Sequence, residues 1–108
     1  MREEYCVILT TVGSREEADS IAEALVTRRL AACVQVSPIS SVYVWKGELH
    51  RDAEHLLLIK TPAECYQAVE AAIRENHSYE IPEIVQLPIE RGLPEYLDWI
   101  SAGTTRGT

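Results

Sequence analysis

Val42-Tyr43-Val44-Trp45-Lys46-Gly47-Glu48-Leu49-His50 forms the centre of the longest extended pattern in the chain. Lys46-Gly47 is a tight-turn pair, and it is flanked by two runs that read as strands, Ala32 to Trp45 and Glu48 to Lys60. The returning strand is apolar in its inner half, Leu56-Leu57-Leu58-Ile59, and polar in its outer half. Such a hairpin has too little apolar character at its tip to belong to a core, so it is expected to project beyond its own domain and be covered by something else. Proline donates nothing to a sheet ladder, so Pro38 marks a bend, a bulge or an edge in the first of these strands.

On either side of the hairpin lies a strand paired with a helix. Tyr5 to Val12 is β-branched and nearly continuously apolar, the signature of a strand covered on at least one face. Gly13 ends it, and Ser14-Arg15-Glu16-Glu17 has the spacing of a capping box at a helix start. Ala18, Ile21, Ala22, Leu25 and Val26 then share one helical face as far as Arg28-Arg29. After the hairpin, Thr61-Pro62-Ala63-Glu64 reads as a second helix start with Thr61 as N-cap. Cys65, Tyr66, Val69, Ala72 and Ile73 supply its buried stripe, and the helix ends near Asn76-His77. Ile84 to Ile89 is a short strand, Leu93 to Ile100 a terminal helix anchored by Leu97, Trp99 and Ile100, and residues 101–108 a frayed tail.

This order predicts an α+β fold, a ferredoxin-like βαββαβ antiparallel sheet with both main helices on one face, a long central hairpin and a short C-terminal helix. One domain spans residues 1–108. The opposite sheet face is expected to be bare and apolar, which marks an association surface.

Composition narrows the function. Ten Lys and Arg stand against 17 Asp and Glu, for a net charge of −7, and no dense basic run opposes that average. Nucleic acid and anionic membrane are therefore unfavoured partners. The three cysteines, Cys6, Cys33 and Cys65, are far apart and form no Cys-x-x-Cys pattern, which argues against a disulfide framework or a zinc knuckle. The apolar run from Tyr5 to Leu9 is too short for a signal segment. A reducing, cytoplasmic setting is the expectation.

Several segments, in order, resemble one family: Arg29-Leu30-Ala31-Ala32-Cys33-Val34, Tyr43-Val44-Trp45-Lys46-Gly47, Lys60-Thr61, His77-Ser78-Tyr79-Glu80-Ile81-Pro82-Glu83-Ile84 and Tyr96-Leu97-Asp98-Trp99-Ile100. From about Val7 to Ile100 the chain is similar to the CutA divalent-cation tolerance family. The resemblance implies a homotrimer of ferredoxin-like subunits, similar in architecture to the PII signalling proteins, with hairpins reaching across neighbours. It also implies a cytoplasmic role linked to copper and other divalent metals, with no established catalytic reaction and no obligatory cofactor. Where that family usually has proline after the histidine, this chain has Ser78; where some members carry a thiol and a second histidine, it has Thr10 and Asn76.

Candidate chemistry follows from residue type. His77 is the leading ligand for Cu2+ or another divalent metal, with Cys33 as a second donor, because imidazole and thiolate suit such ions. The alternatives are a histidine placed at a helix C-terminus and a cysteine acting as a small core residue. Lys60, Tyr79 and Glu80 are candidates to line a mixed-charge cleft between subunits that takes a small ligand, a small anion or a metal complex, or else to form an ion pair that fixes the assembly. Tyr43 and Trp45 are candidate interface aromatics. His50 and His55 fall on opposite faces of one strand and are expected to be solvated.

Two other classes share the topology. An acylphosphatase-like enzyme needs an anion loop after the first strand, which Val12-Gly13-Ser14-Arg15 approximates only weakly. An RNA-recognition module displays stacking aromatics and a basic surface, whereas this chain has no Phe and is acidic. A structural or signalling trimer without metal is the further alternative.

Overall fold

The structure, a computed structural model, describes residues 3–105. Strand β1 (Tyr5–Val12) leads to helix α1 (Arg15–Thr27), then to the hairpin strands β2 (Cys33–Trp45) and β3 (Glu48–Pro62). A short 3-10 turn (Ala63–Cys65) opens helix α2 (Tyr66–Asn76), and β4 (Ile84–Ile89) and α3 (Pro94–Ala102) complete the fold. The four strands form one antiparallel sheet in the order β2-β3-β1-β4, the ferredoxin-like arrangement expected from the sequence.

Strand alternation divides the side chains between two faces. Cys6, Ile8, Val12, Leu57 and Ile59 face α1 and α2 and are buried against Ile21, Leu25, Val69 and Ile73, which make the single core. Val7, Leu9, Leu56, Leu58, Val85 and Leu87 lie on the opposite face. That face is not entirely bare. Helix α3 crosses its lower end, where Ile100 is buried, the Tyr5 and Ser101 hydroxyls hydrogen-bond, and the Lys60 ammonium sits 5.5 Å from the centre of the Tyr96 ring.

Trp45 pairs with Glu48 across a two-residue turn in which Lys46 (φ 52°) and Gly47 (φ 82°) both have positive φ, the primed geometry whose twist matches a hairpin. The β2–β3 register runs unbroken past Pro38, so this proline marks an edge strand and not a bulge. Because β1 ends opposite His55, residues Ile39–Trp45 and Glu48–Glu54 pair only with each other. The hairpin therefore projects, and the molecule measures 47 × 25 × 20 Å.

Three local expectations are corrected. Thr61 is no N-cap: it continues β3 opposite Cys6, and its hydroxyl donates to the Leu30 carbonyl at 2.7 Å. Trp99 is no anchor, being 51% exposed and stacked on Tyr96. Nor does the chain fray from residue 101. Arg29 has positive φ at the end of α1, and its guanidinium donates to the Ala102 carbonyl at 2.9 Å while its own carbonyl accepts the Thr105 N–H at 3.0 Å. One side-chain and one backbone bond thus tie the ends of α1 and α3 together. The remainder of the expected tail, residues 106–108, lies outside the described residues.

Candidate functional site

Above the sheet, at the root of the hairpin, the turn that follows α2 folds over the open face. His77 holds it there. The His77 side chain is only 1% exposed; its Nε2–H donates to the Thr11 carbonyl at 2.7 Å, and Nδ1 accepts the Tyr79 N–H at 3.1 Å. The Glu17 carboxylate lies 3.8 Å from Nδ1 and accepts from both the N–H (2.8 Å) and the hydroxyl (3.1 Å) of Ser78. The expected capping box is thus only half formed. Ser14 Oγ accepts the Glu17 N–H at 3.1 Å, but the Glu17 side chain is used across the fold.

The turn delivers Tyr79 to Glu54. Its hydroxyl donates to Oε2 at 2.7 Å, and burial together with that carboxylate pushes the phenol pKa well above its ordinary value. Gly13 permits the approach, since a Cβ there would stand 3.3 Å from the Tyr79 hydroxyl oxygen. Along the hairpin, the Tyr43 hydroxyl donates to Asp52, which raises the Tyr43 pKa, and the Tyr43 ring stacks on His50 with centroids 5.3 Å apart. At the tip, the Lys46 ammonium lies 5.6 Å from the Trp45 ring centre and 3.8 Å from the Glu80 carboxylate.

Between the hairpin and this turn lies an open cavity of about 640 Å³. Its aromatic walls are Tyr43, Trp45 and Tyr79, and its charged groups are Asp52, Glu54, Glu80 and Glu83. Glu54 is 6% exposed. Among the described residues, no Lys, Arg or His pairs with Asp52, Glu54 or Glu83. Four acidic side chains line the cavity and Lys46 offsets only Glu80, so the field there is negative, which attracts cations and repels anions.

The candidates from sequence are distributed unevenly over this geometry. Tyr79, Glu80, Tyr43 and Trp45 meet at the cavity. Lys60 does not join them within one chain: it lies six residues along β3 from Glu54, roughly 20 Å at strand spacing, beside α3. His77 and Cys33 are also separate. Thr11, which His77 bonds, is opposite Leu56 and hence in line with Ser37, four residues or roughly 13 Å along the sheet from Cys33. Both ring nitrogens of His77 are already engaged, and among the described residues no three His, Cys, Asp or Glu side chains converge as a metal cage. The donors of one chain therefore do not fit a copper site. His55 is not fully solvated either, since its Nδ1 is buried without a partner. Arg15, the cation of the weak anion-loop pattern, is bonded to Asp19 at 3.0 Å.

Sequence reasoning missed Asp52, Glu54 and Glu83 as cavity groups. Asp52 and Glu54 share a face with Tyr43 by strand alternation, which was a usable signal; the approach of Glu83 was not.

No helix among the described residues is long and apolar enough to cross a membrane. Residues 6–103 match the family model described as CutA1 divalent ion tolerance protein. The divalent-cation tolerance protein CutA of Thermus thermophilus is 48% identical over 99 residues, covering 91% of this chain and 96% of its own length. Human Protein CutA is 42% identical over 83% of this chain, which spans only 51% of that longer protein. Among solved structures, CutA1 from Oryza sativa superposes with a TM-score of 0.93 at 37% identity, covering 96% of each chain. The Archaeoglobus fulgidus protein, described as a periplasmic divalent cation tolerance protein CutA, gives a TM-score of 0.90 at 40% identity, covering 92% of this chain and 97% of its own. With this fold, this hairpin and these likenesses, the chain belongs to the CutA divalent-cation tolerance family.

Proposed function

We propose that this protein is a non-catalytic homotrimer of divalent-cation tolerance, in which cations or small ligands are met at the acidic cavity where neighbouring chains adjoin. The observation that carries this reading is the projecting hairpin. It leaves Val42, Val44 and Leu49 exposed beside a cavity whose carboxylates mostly lack cationic partners. Val85 and Leu87 are likewise exposed on the open face. A second copy laid across these groups would remove apolar surface from water at about 25 cal/mol per Å2. A copper(II) or other divalent site in such an assembly would draw on carboxylates of more than one chain, with Lys60, Tyr79 and Glu80 brought together only across that boundary. Three free thiols suit a reducing, cytoplasmic compartment.

Light scattering tests the assembly: the expected mass is three times 12.1 kDa, and a lone 12.1 kDa particle that stays folded on dilution overturns it. Copper titration tests the cation reading. Glu54→Gln and Asp52→Asn are expected to weaken binding, and an unchanged isotherm in both rejects the cavity as the metal site. Acyl phosphate hydrolysis that disappears in Arg15→Ala would overturn the non-catalytic part.

A further inference from the structure

We infer that Lys60 of each copy is the counter-ion of Glu54 on a neighbouring copy, so that the acidic cavity is incomplete in one chain and is completed by an ammonium from the next. This rests on the assembly proposed above and names the contact that sets its register.

The open sheet face is electrically polar along its length. Strand alternation places Glu48, Asp52 and Glu54 on that face towards the hairpin, and Lys60 on it beside α3. Among the strand residues Lys60 is the only Lys or Arg presented there, since Arg51 falls on the opposite face. Between the two charged ends the face is apolar, with Val7, Leu9, Leu56 and Leu58 side by side. The apolar centre favours a covering copy, and the charges of opposite sign decide how that copy is laid down. Copies aligned with like ends together set carboxylate against carboxylate. Copies placed so that the α3 end of one meets the hairpin root of the next pair the charges instead.

Each partner is unfinished within its own chain. Glu54 is nearly buried, and among the described residues its one partner is the neutral Tyr79 hydroxyl. A neighbour laid over it removes still more hydration from a carboxylate that lacks a cation, and an ammonium carried by that neighbour offsets the cost. Lys60 pairs with no carboxylate among the described residues; its ammonium rests against the Tyr96 ring, which steadies the charge without neutralising it. The two cannot meet within one chain. Their backbones are six residues apart along β3, roughly 20 Å, which is farther than the two side chains together span.

That separation makes the test decisive. Lys60→Met and Glu54→Gln each remove one charge at nearly constant length, and glutamine keeps an acceptor for Tyr79. Light scattering in graded urea gives the midpoint at which the mass falls to 12.1 kDa, with circular dichroism reporting the fold of each variant. Each single variant strands one charge at the boundary and should lower the midpoint by about 1 M. The double variant strands none and should recover at least half of that loss. Residues this far apart in one chain act independently, so shifts that simply add would overturn the pair. Coupling of Glu54→Gln to Arg91→Met, and not to Lys60→Met, would equally overturn it. If Glu54→Gln does not fold, wild-type protein treated with a water-soluble carbodiimide decides: the Lys60 amine and the Glu54 carboxyl condense to an amide with loss of one water, which mass spectrometry of the digest finds, and its absence rejects the pair. The two readings stay separable. A wild-type trimer with additive variants rejects this contact alone, whereas a wild-type monomer rejects the assembly and the contact with it.

Discussion

Both oxygens of the Glu17 carboxylate are committed to Ser78, Oε2 accepting its backbone N–H and Oε1 its hydroxyl. This links the first turn of α1 to the turn that carries Tyr79 into the cavity. A proline at position 78 has no N–H to offer, so the departure from the family's usual residue supplies a bond that the usual residue cannot make. Glu17→Ala is expected to cost about 1–3 kcal/mol and Ser78→Ala about 0.5–1 kcal/mol by urea denaturation. The double variant should lose less than their sum, because the two changes remove the same contact. Strict additivity would show that the clasp contributes nothing.

His77 acts through structure, since its ring joins Thr11 to Tyr79. Replacing it with alanine leaves a carbonyl and an N–H without their partner, and about 2–4 kcal/mol of stability should be lost. Copper affinity should stay unchanged in folded His77→Ala protein, and a large fall would return the imidazole to the metal account.

Assembly through the open face predicts a specific failure. Leu87 on β4 is half exposed and outside the core, so Leu87→Arg should leave the subunit folded while setting like charges against one another in any packed face. The mass by light scattering should fall towards 12.1 kDa with the circular dichroism spectrum retained. An unchanged mass would remove β4 from the interface.

Alkaline pH should destabilise the protein. Burial, with Cys65 nearby, pushes the Cys6 thiol from 9.0 up to about 11, and Tyr79 is also raised. Above pH 9.0 the unfolded chain releases the thiol proton while the folded chain retains it, so stability declines as pH rises from about 9 to 11. The loss is on the order of 2 kcal/mol for Cys6. Cys6→Val should flatten that part of the melting-temperature profile, and Tyr79→Phe the part above pH 10. Cys33, partly exposed, should alkylate well before the buried Cys6 and Cys65 at neutral pH.

The hairpin turn depends on Gly47, whose φ is 82°. Gly47→Ala should cost about 1–2 kcal/mol, because a Cβ is strained in that backbone conformation. Lys46→Asn should be neutral or stabilising, since asparagine tolerates the left-handed region better than lysine. Chemical denaturation of both variants measures the difference.

By itself the sequence determined the order of elements, the sheet, the tight turn at Lys46-Gly47 and the projection of the hairpin. Each of these is set by short-range chemistry: alternation, helical spacing and turn preference act within about ten residues. The same locality limited the reading of the site. The meeting of Glu54 with Tyr79, of Glu17 with Ser78 and of Arg29 with the end of α3 joins groups 25, 61 and 73 residues apart. Which acceptor a side chain takes there was decided by packing. Glu17 could have completed its own helix cap and Thr61 could have opened α2. Instead the Glu17 carboxylate takes two donors of the exposed Ser78, and the buried Thr61 hydroxyl is satisfied by the Leu30 carbonyl, since a buried hydroxyl left without a partner costs more than a lost surface cap. Tertiary structure alone set His77 apart from Cys33 and gathered the acidic cavity, because only the folded sheet fixes the distance between its strand ends.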